Sequence, residues 1–250
     1  MTSEPDHLDF SAPIDVAMVD RVLRTARSVR RKLDFERAIA PGVLLDCINV
    51  ANQAPTGIAA ENWRFLVVTE AAPKAAIAGI YRRILVELLA DRGLPMKPTH
   101  QALIDRLHEI PAMLFVCGEG RPGPALSENI AYFGSLLPAA WSLMLALRAR
   151  GIGTTWTSLL SADQAGVAEV LGIPDDVTQA VMLPVAWLRG ARLRPAERRD
   201  ARDHLLGALG RRGWPAGCGR CSRLRQDAVI VAITTDRRAS PYSPAAGRPA

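Results

Sequence analysis

Aromatic residues make up only 5% of the 250-residue chain, and few of them fall in the Arg-rich last quarter from Arg189 to Arg248. No nucleic-acid motif accompanies that charge, so nucleic acid is the weaker reading of a net +6 built from 31 Lys and Arg against 25 Asp and Glu. The excess also suits an anionic membrane or a phosphorylated small molecule. Cysteine is equally sparse. Cys47 and Cys117 sit in apolar segments and Cys218 and Cys221 near the end, an arrangement that implies no disulfide framework and fits a reducing cytoplasm.

Histidine is no richer, and His7, His100, His108 and His204 show no metal-ligand spacing. His100 and His108 read as solvated helix residues. Cys218-Gly219-Arg220-Cys221 has the gap of a redox pair or half a zinc site, but no second ligand pair and no thioredoxin-like strand and helix accompany it. It reads as incidental. No internal repeat is visible. Met1 to Asp9 is polar and acidic, unlike a secretory signal, so the protein is expected to stay where it is made. The stretch from Ile130 to Leu147 carries no charge and is about long enough to cross a bilayer. Gly134, Ser135, Pro138 and Ser142 interrupt it, however, and it runs into Arg148-Ala149-Arg150-Gly151, a helix stop, so a buried central helix is the economical account.

What is present is enough apolar material, 49% of the chain, for a real core. Val16, Val19, Val22 and Leu23 recur at helical spacing and predict a first helix that buries one face. Pro41 opens a second, with Val43, Leu44, Cys47, Ile48, Val50 and Ala51 on a broad apolar face. Trp63 to Thr69 and Ala112 to Cys117 read as buried strands, separated by helical patterns over Lys74 to Asp91 and Thr99 to Glu109. Trp141, Met144 and Leu145 read as core. Ser161 with Gln164 suggests a capping box, Gly172 and Pro174 close that helix, and Thr178 to Leu188 should form another strand. Strands alternating with helices point to an α/β or α+β sheet covered on both faces.

The chemistry starts at Arg27-Ser28-Val29-Arg30. There an extended or turning segment can turn two guanidinium groups and a hydroxyl to one side, the donor set a phosphate wants. Read alone, the same residues also suit a solvated basic helix end. Pro55-Thr56-Gly57 is either an ordinary helix-to-strand loop or a place where glycine lets the backbone approach a flat ring. Thr155-Trp156-Thr157-Ser158-Leu159 reads equally as a strand end.

These pieces, with Leu33-Asp34-Phe35, Gln53-Ala54, Pro138-Ala139-Ala140-Trp141-Ser142, Arg150-Gly151-Ile152-Gly153-Thr154, Leu171-Gly172-Ile173-Pro174, Leu183-Pro184-Val185-Ala186-Trp187, Gly190 and Arg194-Pro195-Ala196, occur in one order from about Thr25 to Arg198. In that order and spacing the chain resembles the nitroreductase-like flavoproteins. The resemblance implies an α+β nitroreductase sandwich, a mixed or antiparallel central sheet covered by helices, with FMN at a homodimer interface. From Arg189 onward the pattern decays into Arg-rich, then Gly-, Pro-, Ser- and Ala-rich sequence, so the chain is expected to divide into a flexible N-terminus (1–14), a nitroreductase-like FMN-binding domain (15–209) and a disordered tail (210–250).

By the same resemblance, Arg27, Ser28 and Arg30 hold the phosphate and polar edge of FMN. Pro55, Thr56 and Gly57 meet the ring, Trp156, Thr157, Ser158 and Leu159 form the loop over it, and Arg198 reaches the phosphate. The implied activity is hydride transfer from NADH or NADPH through the flavin to a nitroaromatic, quinone or similar acceptor. The chemistry is then borne by the flavin rather than by a catalytic side chain or metal, and neither membrane nor nucleic acid is a partner. The chain departs from the family at Ala26, where relatives often carry a second basic residue, and at Ala59 and Glu61, where they carry amides. A carboxylate near a reduced flavin opposes reduction, so the alternative is a catalytically weak FMN-binding, storage or sensor protein of the same fold.

Overall fold

α1 (Val16–Thr25) starts where the Asp15 carboxylate accepts a hydrogen bond from the Met18 amide at 3.0 Å, a side-chain N-cap. The computed structural model describes residues 14–56, 61–190 and 193–195, and the expectations for Gly57, Ala59, Arg198 and the tail lie outside them. The face of α1 expected to be buried is instead open to solvent. Val16, Val19 and Leu23 are each about half exposed, and only Thr25 is buried.

The sheet gathers β1 (Leu33–Asp34), β2 (Trp63–Val68), β3 (Ala112–Glu119), β4 (Ile152–Thr154) and β5 (Val177–Leu188). Its order is β1-β5-β3-β2, with β4 also on β5, and all pairings are antiparallel. β3 and β5 are buried along almost their whole length, which is why both read as continuous apolar runs rather than alternating ones. β1 and β4 are too short for a period-2 signal and had no counterpart in the sequence pattern.

Helices cover both faces. One core cluster packs α2 (Pro41–Ala51) and α5 (Leu126–Ala149) against the sheet through Leu44, Cys47, Leu136, Ala140, Leu143 and Leu147. The other packs α3 (Ala71–Asp91) and α4 (Pro98–Ile104) through Ile77, Tyr81, Ile84, Leu85, Leu103 and Ile104. α5 is the one described helix long and apolar enough to span a membrane, and here its buried side chains join the core shared with the sheet.

Two further expectations are corrected. Met144 is core, but Trp141 is 39% exposed, on a row of α5 with Ile130 and Leu137 that no described segment covers. The Ser161–Gln164 capping box does not form, because Ser161 lies inside a 3-10 turn (Leu159–Asp163). α6 (Gln164–Leu171) is capped by Asp163, whose charged oxygen accepts from the Gly166 amide at 3.0 Å, and it ends on Gly172 at φ +64°. All described residues belong to one compact unit ending at Pro195.

Candidate functional site

The basic turn is extended where it matters. Ser28 forms a parallel bridge to Thr154 at the end of β4, and the Val29 amide donates to the Thr154 carbonyl at 2.8 Å. The Thr155 hydroxyl donates to the Val29 carbonyl at 2.6 Å, and the Trp156 amide donates to the Ser28 hydroxyl oxygen at 2.9 Å. Val29 and Thr155 are buried, so the clasp turns one residue inward and leaves Arg27, Ser28 and Arg30 half-buried beside it. The two segments singled out in the sequence, Arg27–Arg30 and Thr155–Leu159, are therefore one piece of structure.

Next to the clasp, Gly153 is closely covered. A Cβ there would stand 2.5 Å from the Leu188 side chain and 2.9 Å from that of Leu33, the two residues that close over β4. Beyond β4, Thr157 exchanges backbone hydrogen bonds with Met182 in both directions, at 3.2 and 2.8 Å. The Leu159 amide donates to the Thr157 hydroxyl at 3.2 Å, whereas the Ser158 amide has no intramolecular acceptor among the described residues.

The turn lines a cleft of about 190 Å³ with Arg27, Ser28, Arg30, Arg31, Lys32 and Thr99. Four cations and no carboxylate border it, and none of the four is in an ion pair among the described residues. Arg27 donates to the carbonyl of Arg194, and the Nε atoms of Arg27 and Arg30 are buried with no acceptor among the described residues. A buried guanidinium nitrogen left unpaired is costly, so this donor set suits an anion with several acceptor oxygens. A second cavity of about 260 Å³ borders the far side of the loop between Trp156, Ser158, Gln179 and the α5 residues Phe133 and Leu137.

Three other positions are less connected. Pro55 and Thr56 are exposed in the loop that leaves α2 and do not line the basic cleft. Glu61 is exposed just before β2, with no ion pair among the described residues. Tyr81 is a neighbour of the loop and the turn that sequence reasoning missed. It is buried on α3, and burial pushes its phenol upward against the smaller opposing influence of Thr157 and then of Arg30. No spacing in the sequence could connect it to a loop so far along the chain.

A model of the nitroreductase family matches residues 23–187, well over half of the chain. The chain belongs to the nitroreductase family. It is 29% identical over 199 residues to the 5,6-dimethylbenzimidazole synthase of Rhodospirillum rubrum, covering 76% of this chain and 84% of that protein. Among solved structures it is similar to an oxidised iodotyrosine deiodinase bound to FMN and 3-iodo-L-tyrosine (TM-score 0.56, 24% identity, 73% of this chain and 95% of that one). It is similar also to a nitroreductase-like protein from Bacillus cereus (TM-score 0.57, 18% identity, 77% and 96%). The fold is that of the family, α+β with an antiparallel sheet between helices, and the relatives named here differ in what they act on.

Proposed function

We propose that this nitroreductase-family protein binds FMN and is an oxidoreductase that passes hydride from NADH or NADPH to a nitroaromatic, quinone or similar acceptor. The observation that carries the reading is the clasp between Ser28 and Trp156, because it presents the cation-lined cleft and the Trp156–Leu159 loop side by side. One end of that surface suits a phosphate and the other a flat ring. Bound FMN supplies the electron-transfer chemistry.

The chain's own residues bind and orient. Arg27 and Arg30 provide charge-assisted donors whose Nε positions are otherwise unpaired. Ser28 accepts from Trp156 and so keeps its own hydroxyl proton to give to a phosphate or ribityl oxygen. In the loop that the family resemblance sets over the ring, the Leu159 amide is engaged by Thr157, which leaves the Ser158 amide to donate to the ring edge. Arg30, held near Tyr81, adds positive charge where a reduced ring gains negative charge.

We also propose that a second copy covers the exposed apolar residues of α1 and α5 to form a homodimer, and that the protein is cytoplasmic. A second reading, a flavin store or sensor with slow turnover, is favoured by Glu61, a carboxylate with no ion pair among the described residues where the family resemblance expects an amide.

An absorbance spectrum tests the first claim, since a folded protein with no flavin bands that also refuses added FMN sinks it. Stopped-flow mixing with NADH and NADPH separates the readings: an enzyme bleaches its flavin quickly, a store does not. Arg30→Ala is expected to lose FMN and slow that reduction.

A further inference from the structure

Among the described residues, the buried side-chain polar atoms left without a hydrogen-bond partner include Arg27 Nε, Arg30 Nε and His100 Nδ1. The first two belong to the basic turn. The third belongs to α4, an element the family resemblance assigns nothing to. Thr99, its neighbour, lines the same cleft as Arg27 and Arg30, and His100 lies within electrostatic reach of Arg30. His100 is thus not the solvated helix residue its sequence context suggests. It is half-buried, with one ring nitrogen sealed from water and unsatisfied.

We propose that Thr99 and His100 form the second wall of the anion cleft, and that the His100 imidazole binds the dianionic phosphate of the cofactor and takes up a proton as it does so. The inference rests on the FMN reading and extends it to α4. In the protein without an anion, burial, then Arg30 and Lys97, hold His100 below the usual histidine range. The charges that act on it are Arg30 of the turn and Lys97 just before α4, both cations, and Arg27, Arg31 and Lys32 line the cleft with Arg30 and Thr99. Asp105, at the other end of α4, is engaged by Gln101 and Arg82 and does not compete for the ring. A phosphate dianion placed among these groups cancels the repulsion that keeps the imidazole neutral, so its proton affinity rises on binding. The proton comes from solvent. By linkage, affinity climbs as pH falls from about 8 toward 6.5, and it drops again once the phosphate loses its second charge near pH 6.

The test compares FMN with riboflavin, which lacks the phosphate, on the full chain and on His100→Gln and Thr99→Val. For the wild type, FMN affinity should rise toward pH 6.5, with proton uptake seen by calorimetry in buffers of different ionisation heat. His100→Gln should lose about tenfold or more in FMN affinity at pH 6.5, as expected for one charge-assisted hydrogen bond, with less loss at pH 8 and no change for riboflavin. Thr99→Val should weaken FMN at both pH values. Equal FMN affinity and equal proton uptake in wild type and His100→Gln overturn the proposal while leaving the FMN reading intact.

A measurement on the wild type alone guards against a variant that fails to fold. The His100 ring resonances should titrate at higher pH when inorganic phosphate is added. A shift in a protein that refuses every flavin would sustain the anion wall and reject the FMN reading. Resonances that ignore phosphate would reject the wall.

Discussion

Ser28 and Trp156, 128 residues apart in the chain, are joined by a hydrogen bond of 2.9 Å in which the Trp156 amide donates to the Ser28 hydroxyl. This bond makes the cation-bearing turn and the Trp156–Leu159 loop a single surface. Ser28→Ala should leave the Trp156 amide without its acceptor, a loss of about 1 kcal/mol for a part-buried bond. It should also remove one donor from the cleft. Titration of FMN fluorescence is expected to show affinity down by about fivefold to tenfold with little change in thermal midpoint. An unaltered affinity would remove Ser28 from the site.

Thr155 supports the same clasp from inside. Its hydroxyl donates to the Val29 carbonyl at 2.6 Å, and the residue is fully buried. Thr155→Val keeps the shape but strands that carbonyl, at a cost of about 1–3 kcal/mol. Denaturant unfolding should show a lower midpoint at constant slope. A midpoint equal to the wild type would mean that the turn does not depend on this bond.

How much of this was legible in sequence depends on the range of the interaction. The apolar runs Ala112–Glu119 and Val177–Leu188 identify themselves because both faces of those strands are covered, whereas Trp63–Val68, expected to be buried, lies at the end of the sheet order with Arg64 and Val67 exposed and is legible only through its aromatic and β-branched residues. β4 does not identify itself, because Ile152–Thr154 is a strand only through its pairing with β5. Arg27–Arg30 was ambiguous between a solvated helix end and an anion site, and the bridge from Ser28 to Thr154 is what settles its backbone as extended. His100 was read as solvated, yet it is half-buried on α4 with one ring nitrogen sealed, which the pattern of a short helix cannot report. The exposed apolar face of α1 misled in the opposite direction, since periodicity reports that a face is to be covered without saying by which chain.

Asp34 gives a pH signature. Its carboxyl is held below the usual range first by the backbone amide of Glu36 and then by Arg189 at the end of β5. A depressed carboxyl contributes stability that is complete above its unfolded value of 3.8 and is lost as pH falls through the folded value beneath it. Between about pH 5 and 2 the wild type should therefore lose stability more steeply than Asp34→Asn. Parallel acid limbs in denaturant titrations would show that the pairing adds nothing.

Cys117 lies on β3 at 3% exposure, and burial pushes its thiol up to about 11. Very little thiolate exists there at pH 8, and what exists is shielded. Alkylation followed by mass spectrometry should find Cys117, and equally buried Cys47, unmodified in the native protein and modified at the rate of global unfolding. Fast native labelling of either would mean that the sheet or α2 opens locally.

Ile130, Leu137 and Trp141 lie along one face of α5 at 63%, 37% and 39% exposure, beside α1, whose Val19 and Leu23 are similarly open. Residues at this spacing share a helix face, and a row of large apolar side chains in water is the expected signature of a surface that a second copy covers. Trp141→Glu would place a carboxylate in that surface with no cation supplied to meet it, at a cost of several kcal/mol when buried. Sedimentation velocity at micromolar concentration should show a dimeric wild type and a monomeric variant with the same helical circular dichroism. If the cofactor cleft is completed across this face, the monomer should also release FMN on dilution more readily than the wild type. A Trp141→Glu protein that stays dimeric and keeps its flavin would place the interface elsewhere on the chain.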